Sequence, residues 1–165
     1  MKIQIQKVRE ELDLLKNCRL LGKKIDSMIE RAVEYILSMG DETIGNLTAA
    51  DVAAKVEKNL RFFSLVFVIV QKISIANFIH REKLHRAYYI LENDYDISIL
   101  KLAENLGFTE AEVFEAEFEK YYAITPVKFQ DLREKNRDSD ETKYKPRKNN
   151  FKRLDEFFEQ RRDIV

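Results

Sequence analysis

Only four glycines and two prolines interrupt 165 residues, and this scarcity constrains the fold more than any other feature of the sequence. A strand-rich chain needs turn residues every ~8 to 12 positions, and they are missing here. With 45% hydrophobic and 35% charged residues the chain is too apolar for a disordered polymer, and it is long enough for one good core or two small ones. An all-α fold is expected.

Cys18 is the single cysteine, so an internal disulfide is impossible and a reducing, cytoplasmic setting fits. The first residues, MKIQIQKVREELDLLKN, contain no uninterrupted apolar stretch of the kind a secretory signal needs. The longest apolar run, Leu60 to Val70, is broken by Arg61 and Ser64 and falls far short of the ~20 residues of a membrane span. No membrane partner is expected.

Apolar spacing divides the chain. Ile5, Val8, Leu12 and Leu15 form a short heptad seam that would pair either with the core or with a second copy, making a homodimer possible. After Gly22, Ile25, Ile29, Val33 and Ile36 define a helix expected to stop at Gly40 as its C′ residue, followed by a polar stretch from Asp41 to Asn46. Thr48 and Asp51 have capping-box spacing, Asn59 can cap another helix, and a long amphipathic segment uses Phe78, Ile79, Leu84, Ala87, Tyr88 and Leu91. An acidic loop at Glu92 to Asp96 precedes a short helix through Ile99, Leu102, Ala103 and Leu106, closed by Gly107. Thr109 and Glu112 have the spacing of a second capping box, ahead of an apolar side of Val113, Phe114, Phe118 and Tyr121. Thr125-Pro126 starts another helix, since proline suits the first helical position. The organisation expected is N-terminal helices over 1–46, a first unit with a linking helix over 47–91, a second unit over 92–135, a polar linker over 136–149 and an amphipathic helix over 150–165 carrying Phe151, Leu154, Phe157 and Phe158.

Two successive units thus share one plan of short helix, tight turn, second helix and following helix, which is a tandem helix-turn-helix. The string ILKLAENLGFTEAEVFEAEFEKYYAITPVKF at Ile99 to Phe129 resembles the second helix-turn-helix signature of AraC/XylS transcription regulators, through Leu102-Ala103, Gly107-Phe108-Thr109, Phe114, Phe118, Lys120-Tyr121, Thr125-Pro126 and Phe129. Leu47 to Ala87 aligns with the first unit of that family at Leu47, Asp51, Ala53, Ser64, Phe67, Arg81, Leu84, Arg86 and Ala87. The resemblance covers 47–131. It implies double-stranded DNA as partner and promoter binding with RNA polymerase or another regulatory protein nearby, whereas the effector-binding β-domain usual in that family is not expected here. It also implies that each unit's second helix enters the major groove. Carried over by position, the readers are Asn59, Arg61, Ser64 and Leu65 in the first unit and Thr109, Glu112, Glu115 and Ala116 in the second.

At these reading positions the chain departs from the family. The second reader carries Glu110, Glu112, Glu115, Glu117 and Glu119, and three of them, Glu112, Glu115 and Glu119, project from one side toward where phosphates of the same sign would lie. The first reader is apolar all round, as expected of a helix covered on all sides, and Glu57 stands where the family has its tight-turn glycine. Residues 47–91 carry seven basic and three acidic side chains, +4, while 92–137 carry six and eleven, −5. DNA contacts are therefore expected mainly from the first unit, at Asn59, Arg61, Ser64, Lys55, Lys58, Arg81 and Arg86, with Thr109 from the second. Phe62, Phe63, Val66 and Val70, and the stripe Glu112, Glu115 and Glu119, are candidates for a protein interface. The rival reading is a helix-turn-helix that has lost DNA binding and acts through proteins.

No catalytic constellation accompanies these features. His80 and His85 lie about 140° apart on a helix, so they do not share a face. A phosphate-binding glycine loop and a nucleophile elbow are both missing from the sequence, so neither a metal, a cofactor nor an enzymatic activity is expected.

Overall fold

Ile29, Val33 and Ile36 repeat at spacings of four and three and are at most 1% exposed, which fixes the inner face of the first helix. The computed structural model describes residues 19–94 and 96–135; the heptad seam, the polar linker and the segment 150–165 lie outside them. Among the described residues there are eight helices and no strand. They are α1 (Arg19–Ser38), α2 (Asp41–Ile44), α3 (Ala49–Lys55), α4 (Leu60–Gln71), α5 (Ile75–Asn93), α6 (Ile99–Asn105), α7 (Ala111–Tyr122) and α8 (Pro126–Lys135). The all-α tandem helix-turn-helix is therefore present. Three local expectations change. Helix α1 runs through Gly22 without a break, and the polar stretch after it holds the one-turn helix α2. Gly40 is not a left-handed C′ residue; at φ −71° and ψ 157° it is the extended N-cap of α2.

Two compact units divide these helices, one of residues 19–86 with 105–107 and the other of 87–104 with 108–135. In the first, α3 packs on α1 and α4. Its start is fixed by the expected capping box: the Thr48 hydroxyl accepts from the Asp51 amide at 3.3 Å, and the Asp51 carboxylate accepts from the Thr48 amide at 2.9 Å. Asn59 caps α4, its Oδ1 accepting from the Arg61 amide at 2.9 Å. Phe63 and Phe67 are fully buried, and the Phe67 ring meets Phe78 of α5 edge-on at 5.5 Å. Arg86 ties α5 to the end of α1. Its guanidinium donates to the Met39, Leu37 and Ile36 carbonyls at 2.6, 3.1 and 3.3 Å, and also to Asp41 and Glu82. Ile36 and Leu37 lie in the last turn of α1 and Met39 just past it, where intrahelical donors run short and the partial negative charge favours a cation.

The second unit repeats the plan at an offset of about fifty residues. Each short helix has seven residues and each following helix twelve. Glu57 and Gly107, in the tight turns, both have positive φ, at 57° and 73°; Lys72 and Ala123 end the twelve-residue helices at 60° and 57°. Phe114 and Phe118 occupy the same fourth and eighth helical positions as Phe63 and Phe67, and Phe129 pairs with Phe118 at 6.3 Å as Phe78 does with Phe67. Thr125 caps α8 through the Lys128 amide as Ser74 caps α5 through Asn77. One difference stands out: the second tight turn is a residue longer, so α7 begins at Ala111 with Glu110 as N-cap and no side-chain cap bond. The expected capping box at Thr109 does not form, because the extra residue leaves Thr109 one place ahead of the cap.

Candidate nucleic-acid interface

The two twelve-residue helices can be compared position by position, since their inner faces coincide. The second positions are Arg61 and Glu112, both exposed; the fifth are Ser64 and Glu115, both half-buried; the sixth are Leu65 and Ala116, both exposed. The outer faces thus have the same geometry and different chemistry. At the third position Phe62 is 49% exposed and Val113 45%, so Val113 lies outside the apolar side expected of it, one position off the Phe114 and Phe118 row.

Helix α4 is not covered on all sides by the described residues. Phe63 and Phe67 face the core, Val66 and Val70 are half-buried, and Phe62, Leu65, Val68 and Ile69 remain exposed. Of the four apolar interface candidates on this helix, Phe63 is fully buried and anchors the helix; it has no surface to offer a partner. Glu112 and Glu119 are exposed and Glu115 is half-buried, which leaves the acidic stripe on the surface of α7. Lys120 forms an ion pair within that helix, to Glu117 at 3.4 Å.

The cations of the first unit separate by what they touch. Arg86 is spent on α1, with a side chain only 11% exposed, which removes it from any set that could meet a phosphate. Lys83 donates to the Gly45 carbonyl at 2.8 Å, and its burial holds its pKa below the usual lysine range. Arg81 is half-buried. Lys55 is exposed and sits over the Tyr35 ring at 5.3 Å. Lys58 and Arg61 flank the start of α4 and are exposed, as is Lys72 at its end. Asn59 is exposed too, although its side-chain oxygen is engaged as a cap. Thr109 is exposed in the second turn.

The sequence did not single out one further set. Lys24, Met28 and Arg31 recur along α1 at spacings of four and three, and together with Lys23, Ile25, Ser27, Lys58 and Phe62 they line an open groove of about 580 Å³. Among the described residues no group of three or more His, Cys, Asp and Glu is placed to hold a metal, and no single helix is long and apolar enough to cross a membrane.

No family model matches the chain. It is similar to the Msm operon regulatory protein of Streptococcus mutans, 27% identical over 84 residues that make up 51% of this chain and 30% of that protein. It is also similar to the regulatory protein PocR of Salmonella typhimurium, 31% identical over 102 residues, 61% of this chain and 32% of that protein. The chain therefore spans about a third of the length of these curated relatives. Among solved structures, a transcriptional regulator of Chromobacterium violaceum described by its AraC-type DNA-binding domain superposes with a TM-score of 0.58 at 20% identity, covering 66% of this chain and 93% of that one. The chain has the AraC-type fold. Within the AraC-type plan, α4 and α7 are the second helices of the two helix-turn-helix units, so the Arg61 and Glu112 contrast falls on the positions the family resemblance assigns to DNA reading.

Proposed function

We propose that this chain is a transcription regulator that binds promoter DNA mainly through its first helix-turn-helix unit. The observation that carries the reading is the charge at equivalent sites of one fold: Arg61 with Lys58 beside it on the first reader, Glu112 on the second. A cation at the start of α4 meets phosphate or a guanine edge with the right sign, and the positive end of the helix points the same way. Lys55 and Lys72 add phosphate contacts, while Ser64 and Leu65 face the bases. RNA polymerase or a second regulatory protein would sit beside the bound complex, in the cytoplasm, and no catalytic step is involved.

A second reading is favoured by the exposed apolar face of α4 and the acidic stripe of α7, namely a helix-turn-helix that works through proteins. Duplex DNA titrations at two salt concentrations separate the two. Arg61→Ala weakens binding by about 1–3 kcal/mol if it reads a base edge, and less at a phosphate. Exchanging Glu112, Glu115 and Glu119 for lysine strengthens nonspecific binding and steepens the salt dependence if α7 also faces the groove. Absence of salt-dependent binding by the unaltered chain would overturn the DNA reading.

A further inference from the structure

We infer that the groove between α1 and α4 docks an acidic amphipathic helix of a protein partner. Four of its eight lining residues, Lys23, Lys24, Arg31 and Lys58, are cations, and none is a carboxylate. All four are exposed, and among the described residues none of them forms an ion pair. The groove is apolar below that rim. Met28 is 4% exposed at its base, Ile25 is half-buried, and Phe62 stands 49% exposed along one wall.

This combination selects its occupant. A phosphate backbone would use the cations and leave the apolar floor wet. An uncharged peptide would use the floor and leave four cations without partners. A helix with apolar side chains at i, i+3, i+4 and i+7, bordered by glutamates or aspartates, uses both. At about 580 Å³ the groove falls within the range of sites that take up apolar groups. Rim charges steer such a partner and set its salt dependence, while Phe62 and Met28 supply the anchoring surface. The inference does not rest on the DNA reading.

The test is fluorescence anisotropy of the full chain with a labelled synthetic helix carrying leucines at i, i+3, i+4 and i+7 and glutamates between them. Controls are a scrambled peptide of the same composition and a version with lysine for glutamate. Saturable binding of the acidic helix alone is expected. It should weaken at least about tenfold with Phe62→Ala, and again with Lys24→Glu combined with Arg31→Glu. All three side chains are exposed, so circular dichroism should be unchanged in these variants. Equal binding of the scrambled or lysine peptide, insensitivity to both variants, or no saturable binding overturns the proposal. So does self-association abolished by the same variants without peptide binding, which gives the groove to a second copy. Duplex DNA titrated onto the same proteins keeps the two readings apart: peptide binding without DNA binding defeats only the reading of the preceding section.

Discussion

Gly45 and Gly107 approach so closely, backbone to backbone, that neither has room for a side chain. A Cβ on Gly45 would overlap the Asn105 carbonyl oxygen, and one on Gly107 would overlap the Gly45 carbonyl. Gly107 is also the tight-turn residue of the second helix-turn-helix, with φ at 73°. Gly45→Ala and Gly107→Ala should each destabilise the protein by about 2–4 kcal/mol in urea titrations, because backbone on both sides must move. Gly40→Ala serves as the contrast. Its φ is −71° and a Cβ there meets only the Thr43 hydroxyl at 3.5 Å, so it should change little.

Glu57 holds the left-handed conformation that Gly107 holds in the second unit, and it does so with a Cβ. The steric penalty is about 1–2 kcal/mol, partly offset because glycine loses more entropy on folding. Glu57→Gly should therefore raise stability by about 0.5–1 kcal/mol, read as a higher denaturation midpoint with unchanged slope. A loss of stability would mean that the Glu57 side chain makes a compensating contact in solution.

Replacing Arg86 should damage the fold before it touches any DNA affinity. This guanidinium donates five hydrogen bonds, three of them to carbonyls in the last turn of α1 and just past it, and its partner Glu82 is 8% exposed. Arg86→Lys keeps the charge but cannot reach that many acceptors, so it should cost nearly as much as Arg86→Ala, about 2–4 kcal/mol by denaturation. If Arg86→Lys is neutral, charge at the end of α1 is enough and the fork geometry is dispensable.

Hydrogen bonds from the Thr48 hydroxyl and amide hold the Asp51 carboxyl below the usual carboxylate range. A carboxyl whose pKa is lower in the folded state stabilises above its unfolded pKa, near 4, and loses that contribution as the pH falls through the folded value. The melting temperature of the unaltered chain should therefore drop more steeply below about pH 4 than that of Asp51→Ala, and the two curves should converge in acid. Parallel curves would show that the cap has no linked proton.

Much of this arrangement was legible because it depends on local periodicity. Phe63, Phe67, Phe114 and Phe118 sit four apart in pairs, and Thr48 with Asp51 has the spacing of a capping box. What the sequence does not announce depends on distance along the chain. Arg86 meets residues 45 to 50 positions away, and no local pattern announces that its charge is consumed by carbonyls. Gly40 shows the opposite limit: glycine after a helix is a common stop, yet here it opens the next one. The longer second turn was available in the spacing, since Glu57 and Gly107 differ by fifty positions and Phe63 and Phe114 by fifty-one. That single residue displaced Thr109 from the cap.

Because the phenylalanines at the fourth and eighth positions face inward, joined in α7 by Tyr122 at the twelfth, each twelve-residue helix carries its inner anchor and its outer surface on separate residues. The outer residues form a cassette. Arg61, Leu65, Val68 and Ile69 could be exchanged for Glu112, Ala116, Glu119 and Lys120 without altering a ring in either core. Lineages of such a protein can therefore change what the helix meets while the hydrophobic architecture stays under separate selection, and a chimera made this way would inherit its fold from one parent helix and its binding surface from the other.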